Sequence, residues 1–397
     1  MNYRKLYDHV PEPNPVSTER LIAAHYYPGW KKGKSGMHNG FYDLEEYPDR
    51  FPIVGCYDES SPEFADWEIK WAVEHGIGCF IYCWYRYKSN LGQPLNRDGL
   101  RLSYALHDGF LRARYQNYMK FAIMFECQTC RWGVANGPED FLNNVLPFWI
   151  ENYFRKENYL RLKDGRLMLF VYSWTDFVES LGGPEMCAET LEKAREIIRR
   201  EGFAGIHFSA MHSADTDYTG VRAAGFESAF SYCIDITEND LTPVQYGEYL
   251  KTMAVPEDIV LRTQLDYIRE RIEKAPEFFM FLNSVTRDGH PWYNLPWFDR
   301  ESIKHNPLQY TLSAESWRKL LRETWKMLEK LPENCIGKEI FIIDNWNEYS
   351  EGHFVAPTRG AGFRYLQAIR EELTLRDNLP DYRVPATIGL GPYDQDF

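Results

Sequence analysis

Two glutamates three residues apart, Glu348 and Glu351, follow an apolar run in Glu339-Ile340-Phe341-Ile342-Ile343-Asp344-Asn345-Trp346-Asn347-Glu348-Tyr349-Ser350-Glu351-Gly352-His353. Such a pair can divide proton work, because environment raises the pKa of one carboxyl so that it donates while the other stays ionised and accepts. An isolated E-x-x-E is commonplace on exposed helices, so the surroundings decide its meaning. Here Trp346 and Tyr349 offer aromatic faces, Asn345 and Asn347 offer amides, and Gly352 frees the backbone directly after Glu351. Carboxylates, amides and aromatic faces packed this closely read as a sugar subsite. The apolar run ahead of them, rich in β-branched residues, has the composition of a strand buried on both faces, so the pair sits where a strand exits into a loop.

The same grammar recurs along the chain. Leu21-Ile22-Ala23-Ala24 exits into His25-Tyr26-Tyr27-Pro28-Gly29-Trp30, where Pro28 ends the ladder, and a strand over 77–82 delivers Trp84 and Tyr85. Strands are predicted at 120–125, ending in Glu126; at 166–172, ending near Trp174 and Asp176; at 206–210; at 229–233, ending near Asp235; and at 278–282, exiting into Asn283, Ser284, Arg287 and Trp292. Between them lie helix signals. Ser61-Pro62 is an N-cap followed by proline at the first helical position, and Gly76 marks that helix's end. Leu191, Ala194, Ile197 and Ile198 form a stripe closed by Gly202; Ser313 caps a helix carrying Trp317, Leu320, Leu321 and Leu328; Phe363, Leu366, Ile369 and Leu373 mark a last one.

Strands alternating with helices imply parallel βαβ units, and eight of them in about 360 residues predict an α/β fold, a (β/α)8 TIM barrel with enlarged βα loops. No phosphate-binding G-x-G-x-x-G or G-K-[ST] loop follows a strand, which argues against a doubly wound open sheet. The expected organisation is one catalytic domain over 1–397, with 378–397 as an extended tail across the surface or a mobile end. In such a barrel the site lies at the strand C-terminal ends. Those ends gather His25, Tyr26, Tyr27, Trp30, Trp84, Tyr85, Glu126, Asp235, Trp292, Asn345, Trp346, Asn347, Tyr349 and His353 as substrate-binding candidates around Glu348 and Glu351.

Trp346-Asn347-Glu348-Tyr349-Ser350-Glu351-Gly352, with Pro357 and the run Gly362-Phe363-Arg364-Tyr365-Leu366-Gln367-Ala368-Ile369, resembles the closing motif of the WbsX-like, glycoside hydrolase family 99-like proteins. The segments His25 to Trp30 and Trp67 to Tyr85 are similar to that family's first and second units. The resemblance implies a (β/α)8 barrel that cleaves an α-linkage to mannose or a related sugar with retention. It assigns Glu348 as the base that deprotonates the sugar's own 2-hydroxyl and Glu351 as the acid that protonates the leaving oxygen. Two departures put the particular sugar in question: Tyr349 stands where many relatives carry Trp, and the 283–287 segment is only loosely similar to the family pattern. WbsX-like proteins are also labelled glycosyltransferases of O-antigen or capsule assembly, and Asp215-Thr216-Asp217 matches the D-x-D pattern of some nucleotide-sugar enzymes. A sugar-binding barrel without catalysis is a further alternative, against which both glutamates speak.

Composition narrows the partners. A net charge of −13 argues against a phosphate-backbone ligand, which needs clustered Lys and Arg, so no nucleic-acid partner is expected; the charge does not identify a substrate, and the carbohydrate expected as partner comes from the motif and its resemblance. The chain holds 12 Trp, 27 Tyr and 24 Phe; most belong to the core, and some can face sugar rings. Several of the eight cysteines fall within apolar runs, as in Gly78-Cys79-Phe80-Ile81-Tyr82-Cys83, which suits reduced thiols and a cytoplasmic setting. Cys127 and Cys130 have metal-ligand spacing without a matching second pair, and His207 and His212 have no carboxylate cluster at ligand spacing, so neither metal nor cofactor is expected. The first twenty residues lack the apolar core of a secretion signal, and no run of about 18 apolar residues could span a bilayer. A leader already removed from a secreted or periplasmic protein would leave the same appearance.

Overall fold

The computed structural model describes residues 9–31, 41, 44–45, 47–212, 218–287 and 308–389. Eight strands run parallel: β1 (Leu21–Tyr26), β2 (Ile77–Arg86), β3 (Lys120–Glu126), β4 (Leu167–Tyr172), β5 (Ile206–Met211), β6 (Ser228–Phe230), β7 (Phe281–Ser284) and β8 (Ile340–Asp344). Each pairs with its sequence neighbour from β1 to β6, β7 pairs with β8, and β8 returns to β1 in the register Leu21 with Ile340 through Ala24 with Ile343. The ring closes between β6 and the segment entering β7, where the Ala229 amide donates to the Phe278 carbonyl and the Met280 amide donates to the Ala229 carbonyl, each at 2.9 Å. The result is the (β/α)8 barrel.

Near-continuous apolar strands are the sequence consequence of being covered on both faces. Phe121 to Phe125 on β3 and Ile340 to Ile343 on β8 are all buried. Around the ring stand α1 (Pro62–Glu74), α2 (Pro184–Arg200), α3 (Glu257–Lys274), α4 (Ala314–Glu329) and α5 (Arg364–Leu373). Ser61 caps α1 by accepting from the Phe64 amide at 3.4 Å, and Ser313 caps α4 by accepting from the Ser316 amide at 3.2 Å. Trp317, Leu320, Leu321 and Leu328 on α4, and Leu366, Ile369 and Leu373 on α5, turn to the core. A further helical stretch over 137–154 alternates α and π turns; Pro147 within it has no N–H to give, and the backbone there widens. Among the described residues no helix is long and apolar enough to cross a membrane.

β2, β6 and β7 depart furthest from their sequence boundaries. β2 continues to Arg86 because its end gains an antiparallel partner, Leu100–Arg101, which carries Cys83 and Tyr85 further up the barrel mouth. β6 stops at Phe230 instead of Cys233, since Ser231 Oγ turns back to the His212 carbonyl at 3.2 Å, a side-chain bond in place of a ladder bond. β7 begins at Phe281, three residues later than its apolar run, whose first residues are spent on ring closure.

The described part of the tail, 378–389, is fastened. Asn378 Nδ2 donates to the carbonyls of Asn14 and Pro15, and the Asp381 amide donates to Glu74 at 2.9 Å. Trp71 Nε1 on α1 donates to the Arg383 carbonyl at 3.0 Å.

Between β2 and β3 a π turn over Ala105–Gly109 presses Gly109 onto the loop that precedes α1, and a Cβ there would stand 2.1 Å from the Glu59 carbonyl oxygen. Gly109→Ala should cost roughly 1–3 kcal/mol through backbone displacement. A thermal denaturation midpoint below that of the parent chain is the expected result; equal midpoints would contradict the close approach.

Candidate active site

The two glutamates sit on a hairpin built directly on the end of β8. Asn347–Glu348 pairs antiparallel with His353–Phe354, placing Glu348 opposite His353, and Gly352 closes the turn at φ +73°. Cross-strand partners share a face, so Glu348 and His353 project the same way. Behind the hairpin, backbone and side chains tie it to the exit of β1. The Trp346 amide donates to the His25 carbonyl at 2.7 Å, and the Asn347 amide group both accepts from the Tyr27 N–H (2.8 Å) and donates to the Tyr27 carbonyl (3.0 Å). Trp30 Nε1 donates to the Asn347 carbonyl at 2.7 Å.

Two buried carboxyls complete this support. Glu59 accepts from the Trp30 amide (2.9 Å) and from Asn347 Nδ2 (3.1 Å), and Glu68 on α1 accepts from Trp346 Nε1 and Tyr26 Oη, both at 2.8 Å. Burial pushes Glu59 well above the usual carboxylate range and Glu68 up to about 8.

At the mouth the acidic groups meet unlike neighbours. Glu348 is buried; its Oε2 accepts from Tyr232 Oη at 3.3 Å, and that phenol accepts from Asn345 Nδ2 at 2.9 Å. Burial first and the Glu351 charge second push its carboxyl well above the ordinary range. Glu351 is partly exposed, with Oε2 3.2 Å from His353 Nε2 and 3.7 Å from Arg287 Nη1. His353 Nδ1 lies 3.0 Å from Asp344 Oδ1, and Ser284 Oγ donates to the other Asp344 oxygen at 2.7 Å. Burial opposes protonation of His353, but Asp344 and Glu351 overcome it and raise the imidazole to about 9. Glu126, at the end of β3, is raised to about 8, chiefly by burial.

The sequence-predicted residues therefore divide. Glu348, Glu351, His353, Glu126 and Asn345 meet at the mouth. Tyr85 joins them from β2, where the charges of Glu126 and Glu348 reach its phenol. The His25 ring packs against Phe230 and Tyr232, with centroids 5.8 and 4.8 Å away, and burial lowers it to about 4. Asp235 is exposed and enters through Arg287, whose Nε lies 2.9 Å from it. Tyr26, Tyr27, Trp30, Trp346 and Asn347 form the layer behind the hairpin, and Tyr349 packs edge-on to Trp30 at 5.0 Å. Trp84 goes elsewhere: its indole donates to Tyr153 Oη at 2.8 Å among Phe125 and Trp149. Trp292 and Asp215-Thr216-Asp217 lie outside the described residues. Sequence reasoning missed Glu68, whose only signal was a carboxylate between Trp67 and Trp71 on an apolar helix face, and it gave Asp344 and Tyr232 no role. Among the described residues no group of three or more His, Cys, Asp or Glu side chains is arranged to hold a metal ion.

The fold is a (β/α)8 barrel of the kind found in glycoside hydrolase family 99 structures. The chain is similar to the endo-α-mannosidase of glycoside hydrolase family 99 from Bacteroides thetaiotaomicron, with a TM-score of 0.52 and 14% identity over 88% of this chain and 95% of that one. It is similar also to a glycoside hydrolase-like protein, with a TM-score of 0.58 and 15% identity over 94% and 100% of the two chains. At such identities the likeness is one of fold. By sequence the chain belongs to the family described as Glycosyltransferase WbsX, whose profile matches residues 139–369, more than half of its length. It is 22% identical over 400 residues to the uncharacterised protein WxcX of Xanthomonas campestris pv. campestris, covering 92% of this chain and 50% of that protein. The chain thus spans about half the length of the curated relative it matches.

The buried carboxyls have a consequence for stability. Glu68 and Glu126 hold their protons to about 8 when folded, against 4.5 for a free carboxyl, so the folded chain binds more protons across this interval. Stability is then fully present below the unfolded value and is lost as pH rises toward the folded one, by up to about 1.4 kcal/mol per pH unit for each group. Urea denaturation midpoints should fall between about pH 5 and about pH 8, and Glu68→Gln should flatten that fall. A midpoint that climbs over the same interval would contradict the assignment.

Proposed function

We propose that the chain is a glycoside hydrolase acting on an α-linked, mannose-like glycan or bacterial polysaccharide, as one catalytic domain, with Glu348 as base and Glu351 as acid. The observation that carries this reading is the hairpin that presents both glutamates at one barrel mouth in unlike surroundings, Glu348 dry beside a phenol and Glu351 beside His353 and Arg287. Burial raises the Glu348 carboxyl, so the base is its ionised form, which holds firmly a proton taken from the sugar's 2-hydroxyl; the assignment of base and acid follows the resemblance of the closing motif. Attack by the 2-hydroxyl oxygen on the anomeric carbon, with departure of the glycosidic oxygen toward Glu351, forms an anhydro-sugar; water then opens it with overall retention. Tyr85 and Glu126 at the same mouth are the groups assigned to hydrogen-bond sugar hydroxyls, while Asn345 orients the Tyr232 phenol.

A second reading is favoured by the family description, glycosyltransferase. It requires a nucleotide sugar whose diphosphate would meet the Glu351 carboxyl, with Arg287 and His353 as cations beside it.

The test is release of reducing ends from α-mannan fragments and bacterial polysaccharides without added metal or nucleotide sugar. Glu348→Gln and Glu351→Gln should each lower turnover at least about 100-fold. No release from any glycan, with metal-dependent transfer from a nucleotide sugar in its place, would replace the hydrolase reading by the transferase one.

A further inference from the structure

Glu351 faces two cationic groups, His353 and Arg287, and the leaving group it serves needs a proton. The geometry behind it supplies one. His353 is buried with a carboxylate oxygen at each ring nitrogen, Asp344 Oδ1 at 3.0 Å from Nδ1 and Glu351 Oε2 at 3.2 Å from Nε2. A carboxyl oxygen at each ring nitrogen favours the doubly protonated ring, and these neighbours raise the imidazole to about 9. Asp344 is itself oriented by Ser284 Oγ at 2.7 Å. The remaining charged and titratable groups that face this ring are Arg287 after β7, the Tyr232 phenol edge-on at 5.8 Å after β6, His25 on β1 and Glu348 across the hairpin.

We propose that Ser284, Asp344, His353 and Glu351 form a proton relay in which the His353 imidazolium supplies the proton that Glu351 gives to the leaving glycosidic oxygen. The proposal rests on the hydrolase reading above. In the first step the His353 Nε2–H bond breaks and a Glu351 O–H bond forms, and Glu351 passes a proton to the glycosidic oxygen as its bond to the anomeric carbon breaks. His353 is left neutral, its Nδ1–H still donated to Asp344. In the second step the water that opens the anhydro-sugar gives a proton to Glu351, which returns one to His353 Nε2, so the resting state is restored with one water consumed. His353 acts through Glu351 and is a positioning residue. Its raised proton affinity, about 9, keeps the relay loaded at neutral pH and empties it in mild alkali.

The experiment compares the full chain with its His353→Gln variant on two probes, an α-linked mannotriose, whose leaving sugar needs a proton, and the matching mannobiosyl fluoride, whose leaving group does not. The nitrogen shifts of the His353 ring are read in parallel by NMR on ¹⁵N-histidine-labelled protein near neutral pH. The relay predicts an imidazolium in the parent chain, an oligosaccharide kcat/KM lowered about 100-fold in the variant, and fluoride hydrolysis lowered less than about 5-fold. The alkaline limb of the parent's oligosaccharide profile should vanish in the variant. Equal losses on both probes would show a merely structural histidine and overturn the relay. A neutral ring near pH 7 would overturn it as well, while leaving the parent's hydrolysis of the oligosaccharide, and so the functional reading, standing. A parent chain inert toward both probes would overturn the functional reading and the relay's catalytic role together, whatever the ring's charge.

Discussion

The side-chain amide of Asn347 is the fastening on which the mouth depends. It satisfies both backbone groups of Tyr27 as a neighbouring strand would, at 2.8 and 3.0 Å, and so joins the exits of the first and eighth strands beyond the point where their ladder ends. Only an amide offers a donor and an acceptor side by side at that reach. Glu59 closes the arrangement by receiving both the Trp30 amide and the Asn347 side chain, and the Trp30 indole returns to the Asn347 carbonyl. Glu348 is the next residue. Its position is therefore set by a dry network in which a broken bond leaves a buried polar group unsatisfied, at a cost of roughly 1–3 kcal/mol.

The carboxyls around this fastening differ by their surroundings more than by their chemistry. Glu59, Glu68, Glu126 and Glu348 are buried with few cations near them, and desolvation holds their protons. Glu351 and Asp344 face His353 and are linked through it. One short hairpin thus presents a carboxyl of high proton affinity beside one joined to a cationic ring.

Much of the architecture was legible from pattern. Buried parallel strands are written as apolar runs, and β1, β3, β4, β5 and β8 lie within a residue or two of their runs. Caps at Ser61 and Ser313 were read from local chemistry because a cap is a local bond. β6 and β7 were misplaced for the opposite reason: their ends are fixed by ring closure and by a serine that leaves the ladder. The mouth was legible where residues follow strands directly, as with Glu126 and Glu348. Trp84 shows where that reading stops. Successive strand residues point to opposite faces, so Cys83 and Tyr85 turn toward the mouth and Trp84 into the layer of 137–154, a choice set by barrel register and invisible in one sequence. Glu68 was illegible because an isolated glutamate on an apolar helix face acquires meaning only from the Trp346 and Tyr26 donors that reach it from distant segments.

The ladder between Leu21 and Ile340 makes immediate neighbours of two strands that are far apart in the sequence. A polypeptide still emerging from the ribosome, with β8 unmade, exposes one long edge of β1 and has neither a closed ring nor the hairpin. Its partly built sheet must be kept from pairing with other edges until β8 arrives, so one segment completes the ring and the hairpin together.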